Sequence, residues 1–426
     1  MTVSDRPSLL FADRNGQIYD FPYLEMVGSH AGRWRRLRPG DWIPLPEGSE
    51  LFVLPDRYPA GFDPERGRFV VLDRNPYNAR ESIRAVAAFV APAHTATYLA
   101  AYKRSRDARI LPLFSYAAVG WYKDSFVTTA IRVDPDERQD ARHFKKDVIA
   151  REAQALIESY RSNRLIQHLG RCALSYACPA ARNFFMGRWE APLPTSPVCN
   201  ARCLGCISYQ ENPEIPVTQE RLNFVPTAEE VAEVALLHIK RAERPVVSFG
   251  QGCEGEPLLQ AQVLEKAIGL IRKETEKGTI NLNTNASLPA RVDRLFAVGL
   301  DSIRVSLNSV QERYYNAYYR PRGYSFEDVK KTILTALSHN GFVSLNYFIL
   351  PGVTDDPAEV DAFMEFLKSH PVNLIQMRNF NIDPEWYINE IDFRPTGPPV
   401  GIKRWMEVVR ENFPDVRFGY FNPFLR

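Results

Sequence analysis

The chain has 426 residues, 45% of them apolar and 24% charged, with a formal net charge of +2. Such a composition suits a soluble globular protein of two or three domains, and with no apolar run near the ~20 residues that cross a bilayer it excludes a membrane-spanning chain. The small net charge argues against attraction of the whole surface to nucleic acid or membrane.

Met1 to Leu10 lacks the basic-then-apolar order of a secretion signal, and a cytoplasmic location is expected. Residues 1–135 read as a small β-rich module: short apolar runs such as Glu50-Leu51-Phe52-Val53-Leu54 and Arg68-Phe69-Val70-Val71-Leu72 alternate with Pro/Gly/Asp clusters. Arg33, Arg35, Arg36 and Arg38 around Trp34 face either an anion or RNA, or simply solvent along a hairpin. From about Asp140 to Leu169 apolar residues recur at three-to-four spacing (Ile149, Ala153, Leu156, Tyr160), which predicts a long helix stopped at Gly170. The segment 136–192 therefore comprises that helix and a lead-in containing Cys172 and Cys178. These two thiols either join Cys253 in a second cluster or are buried structural cysteines.

At Cys199, Cys203 and Cys206 three thiols fall at C-x3-C-x2-C on one short loop, half of the chain's six cysteines. Clustered thiols in so long a chain suit a reducing interior rather than a disulfide framework. Thiolates are the usual ligands of iron, and so tight a loop brings them to one cubic iron–sulfur cluster. Three ligands on four irons leave one iron open to a substrate or cosubstrate. The same spacing also serves zinc sites.

Beyond the loop, strands and helices alternate. Thr227 and Glu230 form a capping box ahead of a helix with Val231, Val234 and Ala235 on one side. Strands follow at Val246–Phe249, Thr279–Asn285, Ser302–Asn308, Phe342–Leu350 and Asn373–Asn379, separated by amphipathic helices. Units of this length need right-handed crossovers and a parallel sheet, which makes the fold class α/β, a barrel or half-barrel of about six units over 193–390. A helix and strand extension is expected over 391–426. Within the strands polar and apolar residues alternate: Asn281, Asn283 and Asn285 oppose Ile280 and Leu282, and Arg304, Ser306 and Asn308 oppose Ile303, Val305 and Leu307. Helices cover the apolar faces, so the polar rows point inward and line a lumen for a polar ligand, unless they merely satisfy one another. Two strand-end stretches, Arg313 to Arg322 and Arg378 to Tyr387, combine arginines with aromatics, a mixture suited to a flat or anionic substrate. Arg378 is the candidate catalytic residue there; Cys253, at a strand end, is either a hydrogen-atom donor or merely small.

The three-cysteine loop together with Gly255-Glu256-Pro257 after a strand resembles the radical S-adenosylmethionine (radical SAM) superfamily, over about residues 195–390. The stretch from Glu256 to Asp328 looks most like the branch containing the GTP-cyclising enzyme of molybdopterin synthesis. The resemblance implies a partial (βα)6 barrel and a [4Fe–4S] cluster on Cys199, Cys203 and Cys206. It also implies reductive cleavage of S-adenosyl-L-methionine to a 5′-deoxyadenosyl radical that takes hydrogen from an unknown substrate. A low-potential electron donor such as flavodoxin or ferredoxin is implied as partner. Through the same resemblance Glu256 holds the methionine ammonium, Asn283 and Asn285 approach the cosubstrate, and Ser306 and Asn308 contact ribose or carboxylate. Pro351, in Leu350-Pro351-Gly352-Val353, borders adenine. Gly205 stands where the family often has an aromatic residue, so ring contacts are lost there while a backbone hydrogen bond to adenine survives. No cobalamin-type Asp-x-His-x-x-Gly signature or Cys-rich C-terminal extension is present. Two other readings stay open: an RNA- or protein-modifying radical enzyme that recruits its target through the N-terminal module, and a non-catalytic iron–sulfur or zinc protein.

Overall fold

A computed structural model describes residues 5–137 and 139–426, leaving Met1 to Ser4 of the chain's opening stretch outside the described residues. The chain forms two compact units, one of residues 1–135, 348–364 and 377–414, the other of 136–347, 365–376 and 415–426.

The first unit is built on a twelve-stranded sheet of mostly antiparallel hairpins. Its strand Arg84–Phe89 reads Arg-Ala-Val-Ala-Ala-Phe because both its faces are packed: Val86 and Ala88 join Leu10, Val90 and Val119 in one apolar cluster, while Ala85 and Ala87 join Leu54, Leu111 and Tyr116 in another. Two-residue alternation sends successive side chains to opposite faces, and alanines let both layers approach. Arg57 is fully buried in this unit. Its guanidinium donates to Asp383 (2.7 Å) and to the carbonyls of Pro55 (2.9 Å) and Arg109 (3.0 Å). The arginine-rich strand Arg33–Arg36 pairs with Ile18–His30, and Arg36 forms a two-bond pair with Glu25 at 2.7 and 2.9 Å. Among these arginines, Arg36 is thus paired within the sheet.

A parallel sheet of seven strands in chain order lies largely in the second unit: β1 (Glu190–Pro192), β2 (Val246–Phe249), β3 (Thr279–Thr284), β4 (Ser302–Leu307), β5 (Phe342–Ile349), β6 (Leu374–Asn379) and β7 (Arg417–Gly419). Sequential order with helical crossovers makes this a partial α/β barrel. It has one strand more on each side than the five that the alternation pattern picked out, because β1 and β7 are three residues each and carry too little periodicity to stand out.

The expected long helix is two. Helix α1 (Lys146–Ser159) ends, and α2 (Arg164–Leu174) restarts at Asn163, whose side chain accepts from the Ile166 N–H at 3.0 Å and donates to Glu233 at 2.7 Å. A side-chain cap competes with helix continuation, which breaks a pattern that periodicity alone reads as unbroken. Gly170 does not stop a helix; it lies inside α2, where a Cβ would come 2.4 Å from Ile157 Cδ1, so it lets α1 and α2 pack closely. A short helix α3 (Pro179–Phe185) leads into β1. The capping box predicted at Thr227 and Glu230 opens α4 (Ala228–Arg241). Helices α5 (Ala261–Glu274), α6 (Pro289–Ala297), α7 (Glu312–Tyr319), α8 (Phe326–Ser338), α9 (Pro357–Ser369), α10 (Pro384–Glu390) and α11 (Ile402–Asn412) complete the chain.

Candidate functional site

The cysteine loop is held to the turn after β2 by backbone groups. Gly255 N–H donates to the Ser196 carbonyl (2.6 Å) and Glu256 N–H to the Val198 carbonyl (2.9 Å), one residue before Cys199. A Cβ on Gly255 would stand 2.0 Å from the Val198 oxygen, so only glycine lets the two segments meet. Glu254 reinforces the junction. One carboxylate oxygen accepts from the N–H groups of Thr195 (2.7 Å) and Ser196 (2.9 Å), and the other from those of Gly250 (2.7 Å) and Gln251 (2.8 Å). Gly250, at φ +77°, lies so close to β3 that a Cβ would fall 1.7 Å from the Asn283 oxygen.

The far side of the loop rests on α7. The N–H groups of Arg202 and Leu204 donate to the carbonyls of Tyr319 (2.8 Å) and Tyr318 (3.1 Å), and Arg322 N–H donates to the Asn200 carbonyl (2.9 Å). Residues 313–322, expected as a substrate loop, thus form a helix and its left-handed cap at Arg320. Tyr314, Tyr315, Tyr318 and Tyr319 are buried, with the Tyr315 and Tyr319 rings stacked at 4.5 Å. This row supports the cysteine loop.

Glu256 is buried and caps the turn it begins. It accepts from Leu258 N–H (3.0 Å), the Thr284 hydroxyl (2.6 Å) and Asn285 N–H (2.8 Å). Burial outweighs these bonds and pushes its carboxyl up to about 7. A neighbouring cation is what would hold it ionised. The three loop thiols are half-buried. Burial, then the charge of Glu256, pushes Cys199 up to about 11, and burial with repulsion from Cys206 and Cys199 raises Cys203 well above its ordinary range. The Arg221 guanidinium donates to Cys206 Sγ at 3.3 Å. Thiols set like this ionise when a cation binds them. Three half-buried thiols on one short loop are a donor set that would fit an iron–sulfur cluster.

The polar strand rows do turn inward, and part of them is satisfied internally. Asn281 donates to Asn283 Oδ1 (2.8 Å) and to Ser248 (3.2 Å) and accepts from Ser302 (2.8 Å). Asn283 donates to the Gly250 carbonyl (3.0 Å) and accepts also from Asn422 (3.2 Å), which in turn accepts from Gln376 (2.8 Å). Asn283 is thereby committed to the framework. Asn285 donates to Asn200 Oδ1 (2.8 Å), so it reaches the cysteine loop itself. Asn308 is buried and donates to the Tyr314 carbonyl (3.0 Å). Ser306 is half-buried beside Asn346, whose Oδ1 is buried without a hydrogen-bond partner among the described residues. Such an acceptor fits a ligand in the interior. Gly205 lies in the cysteine loop, whereas Pro351 and Arg378 belong to the other unit. Cys253 lies in the turn after β2, against Cys172 and His168.

Glu254 and Asn422 escaped the sequence reading. A glutamate one residue before the Gly-Glu-Pro run carries a weak signal by position; Asn422, joining the interior from the C-terminal segment, carries none.

Residues 193–367 match the model of the Radical SAM superfamily. GTP 3′,8-cyclase of Chlorobaculum tepidum is 26% identical over 223 residues, covering 51% of this chain and 60% of that protein. GTP 3′,8-cyclase of Clostridium botulinum is 30% identical over 178 residues, covering 41% of this chain and 51% of that protein. The chain thus spans about half the length of the curated relatives it matches. Among solved structures, native anSMEcpe with bound AdoMet is 17% identical with a TM-score of 0.36, covering 45% of this chain and 52% of that one. Methylornithine synthase is 14% identical with a TM-score of 0.39, covering 65% and 71%. Enzymes of the matched superfamily use a [4Fe–4S] cluster and S-adenosylmethionine. The three-cysteine loop and the Gly-Glu-Pro turn bonded to it both lie within residues 193–367, the stretch that matches the radical SAM superfamily.

Proposed function

We propose that the chain is a radical SAM enzyme in which Cys199, Cys203 and Cys206 hold a [4Fe–4S] cluster and Glu256 holds the ammonium of S-adenosylmethionine, for abstraction of a hydrogen atom from a substrate. The observation that carries this is the Glu256 N–H bond to the Val198 carbonyl at 2.9 Å, which joins two motifs 57 residues apart in sequence, Cys199 and Glu256. Held by those three thiolates, the cluster would supply the electron for reductive cleavage of the sulfonium of S-adenosylmethionine.

The chain's own residues bind and orient. Cys199, Cys203 and Cys206 would supply three thiolates to the cluster, one fewer than its irons. Glu256, buried and with one carboxylate oxygen carrying a single bond, from Asn285 N–H, offers that oxygen to an ammonium and is drawn toward its ionised form by it. Asn346 Oδ1 and Ser306 present polar atoms to the bound nucleoside, and Gly205 offers backbone in place of a ring. The buried tyrosines of α7 exclude water from behind the loop. A low-potential reductant such as flavodoxin or ferredoxin is the expected electron source, and the substrate stays open.

The test is anaerobic reconstitution with iron and sulfide, reduction, and addition of S-adenosylmethionine. Formation of 5′-deoxyadenosine is expected, with loss of it in C199A, C203A or C206A. A chain that carries the intact cluster and releases none would overturn the proposal and leave an iron–sulfur protein without radical chemistry.

A further inference from the structure

The cysteines outside the loop do not scatter. His168 and Cys172, one turn apart on α2, meet Cys253 from the turn after β2, and their ligand atoms all lie within 4.8 Å of one another. His168 Nε2 is 3.5 Å from Cys172 Sγ. Zinc bonds of ~2.05 Å to nitrogen and ~2.3 Å to sulfur, set at tetrahedral angles, put those two atoms about 3.6 Å apart. The observed pair already stands at the edge length of a four-coordinate ion. Cys172 is 1% and Cys253 4% exposed, while His168 is half-buried and leaves a way in from solvent. The Cys253 backbone is fixed by Leu222 N–H on its carbonyl (2.7 Å), and that of Cys172 by Cys178 N–H (3.0 Å). Among the described residues this is the group with the spacing of donors to one ion; the loop thiols are not part of it.

We propose that His168, Cys172 and Cys253 form a second metal site that binds one divalent ion of the zinc class through an imidazole and two thiolates. Binding releases both thiol protons to solvent, and the two thiolates cancel the ion's charge, as a buried position requires. Three protein donors leave a fourth position for water or a small ligand. Cys178 touches the site through its backbone, and its thiol is not among the gathered donors. The ion ties α2 to the turn whose next residue, Glu254, holds Thr195 and Ser196 at the entrance of the cysteine loop.

The test uses the full chain carrying C199A, C203A and C206A, which removes the iron–sulfur ligands and leaves this group whole. Titrated with Co2+ under anaerobic reducing conditions, it is expected to develop thiolate-to-cobalt charge transfer and the visible bands of tetrahedral cobalt. One equivalent of Zn2+ should abolish them. Adding C172S or H168Q should remove the charge transfer or reduce cobalt affinity at least tenfold, whereas C178S should retain both. Circular dichroism shows which variants are folded, and the parent titration decides the matter even if none of them is. A folded parent without thiolate bands overturns the proposal, as does unchanged uptake in folded C172S and H168Q, or a Cys172–Cys253 disulfide found by mass spectrometry in the reduced preparation. No readout uses cleavage of S-adenosylmethionine, so the outcome stands apart from that of the proposed function.

Discussion

Gly255 meets the Val198 carbonyl where a methyl group would stand 2.0 Å from the oxygen. Backbone atoms cannot yield as a flexible side chain can, so G255A has to push the cysteine loop away from the Gly-Glu-Pro turn. The cost is that of overpacking, about 1–3 kcal/mol, plus the Glu256 N–H bond it breaks, about 1 kcal/mol. The expected outcome is a lower thermal midpoint and a reconstituted iron content well below that of the unsubstituted chain. An iron content that stays full in G255A would mean that the cysteine loop holds its shape without the turn. The same junction shows what the sequence discloses at this scale. Cys199, Cys203 and Cys206 stood out in the sequence because their spacing is local, and Glu256 because it sits in a short Gly-Glu-Pro run. Glu254 was not, since it acts by gathering backbone N–H groups from two segments, a role any buried carboxylate can fill. Asn283 was legible as an inward-facing residue, yet its partners Asn422 and the Gly250 carbonyl, which commit it to the framework, lie too far along the chain for a pattern to pair them.

At the scale of elements, α4 illustrates how a helix is fixed at both ends by different physics. Its start is local: the Thr227–Glu230 capping box, readable from four residues. Its last turn is tertiary: His238, fully buried, donates from Nε2 to the Trp189 carbonyl at 3.2 Å just before β1. Burial, with a smaller push from Arg241, brings this imidazole down to about 4 from 6.5. Because the folded value is the lower one, the unfolded chain takes up a proton between those limits that the folded chain refuses. His238 therefore costs no stability above pH 6.5 and progressively more as pH falls toward 4, roughly 3 kcal/mol in all. Comparing urea midpoints of the chain and of H238Q at several pH values isolates this group, since the carboxylates common to both cancel. The chain should lose stability more steeply than H238Q below pH 6.5; parallel curves would show that His238 titrates normally. Elements whose ends are local in this sense were the ones the sequence placed well. The break between α1 and α2 was hidden because Asn163, which caps α2 at the Ile166 N–H, is itself held by bonds from its Nδ2 to the Glu230 carbonyl and to Glu233 on α4, and periodicity runs straight across it.

For the whole molecule, the β-rich opening segment was expected to be a module, and its compact unit includes residues 348–364 and 377–414 as well as 1–135. The bonds that join these stretches are buried or partly so. Arg57 and Asp383 pair at 2.7 Å with side chains 0% and 1% exposed, Leu111 N–H donates to the same carboxylate, the Thr95 hydroxyl donates to the Met377 carbonyl, and Asn379 bridges the Ala96 N–H and the His94 carbonyl. Removing one partner of a buried ion pair leaves the other charge uncompensated, at about 3–5 kcal/mol. Deleting residues 1–135 would do this to Asp383 and at the same time expose the apolar surface that 377–414 buries in that unit. Domain stabilities are of the order of 5–15 kcal/mol, so a loss on this scale is not survivable by addition of small compensations. A chain of residues 136–426 should accordingly be insoluble or lack a cooperative unfolding transition, while D383A in the full chain should stay folded with its stability lowered by about 3 kcal/mol or more. Recovery of 136–426 as a soluble species with a sharp transition would show instead that 348–364 and 377–414 find sufficient partners without the opening segment, and the N-terminal strands would then be an appended module after all.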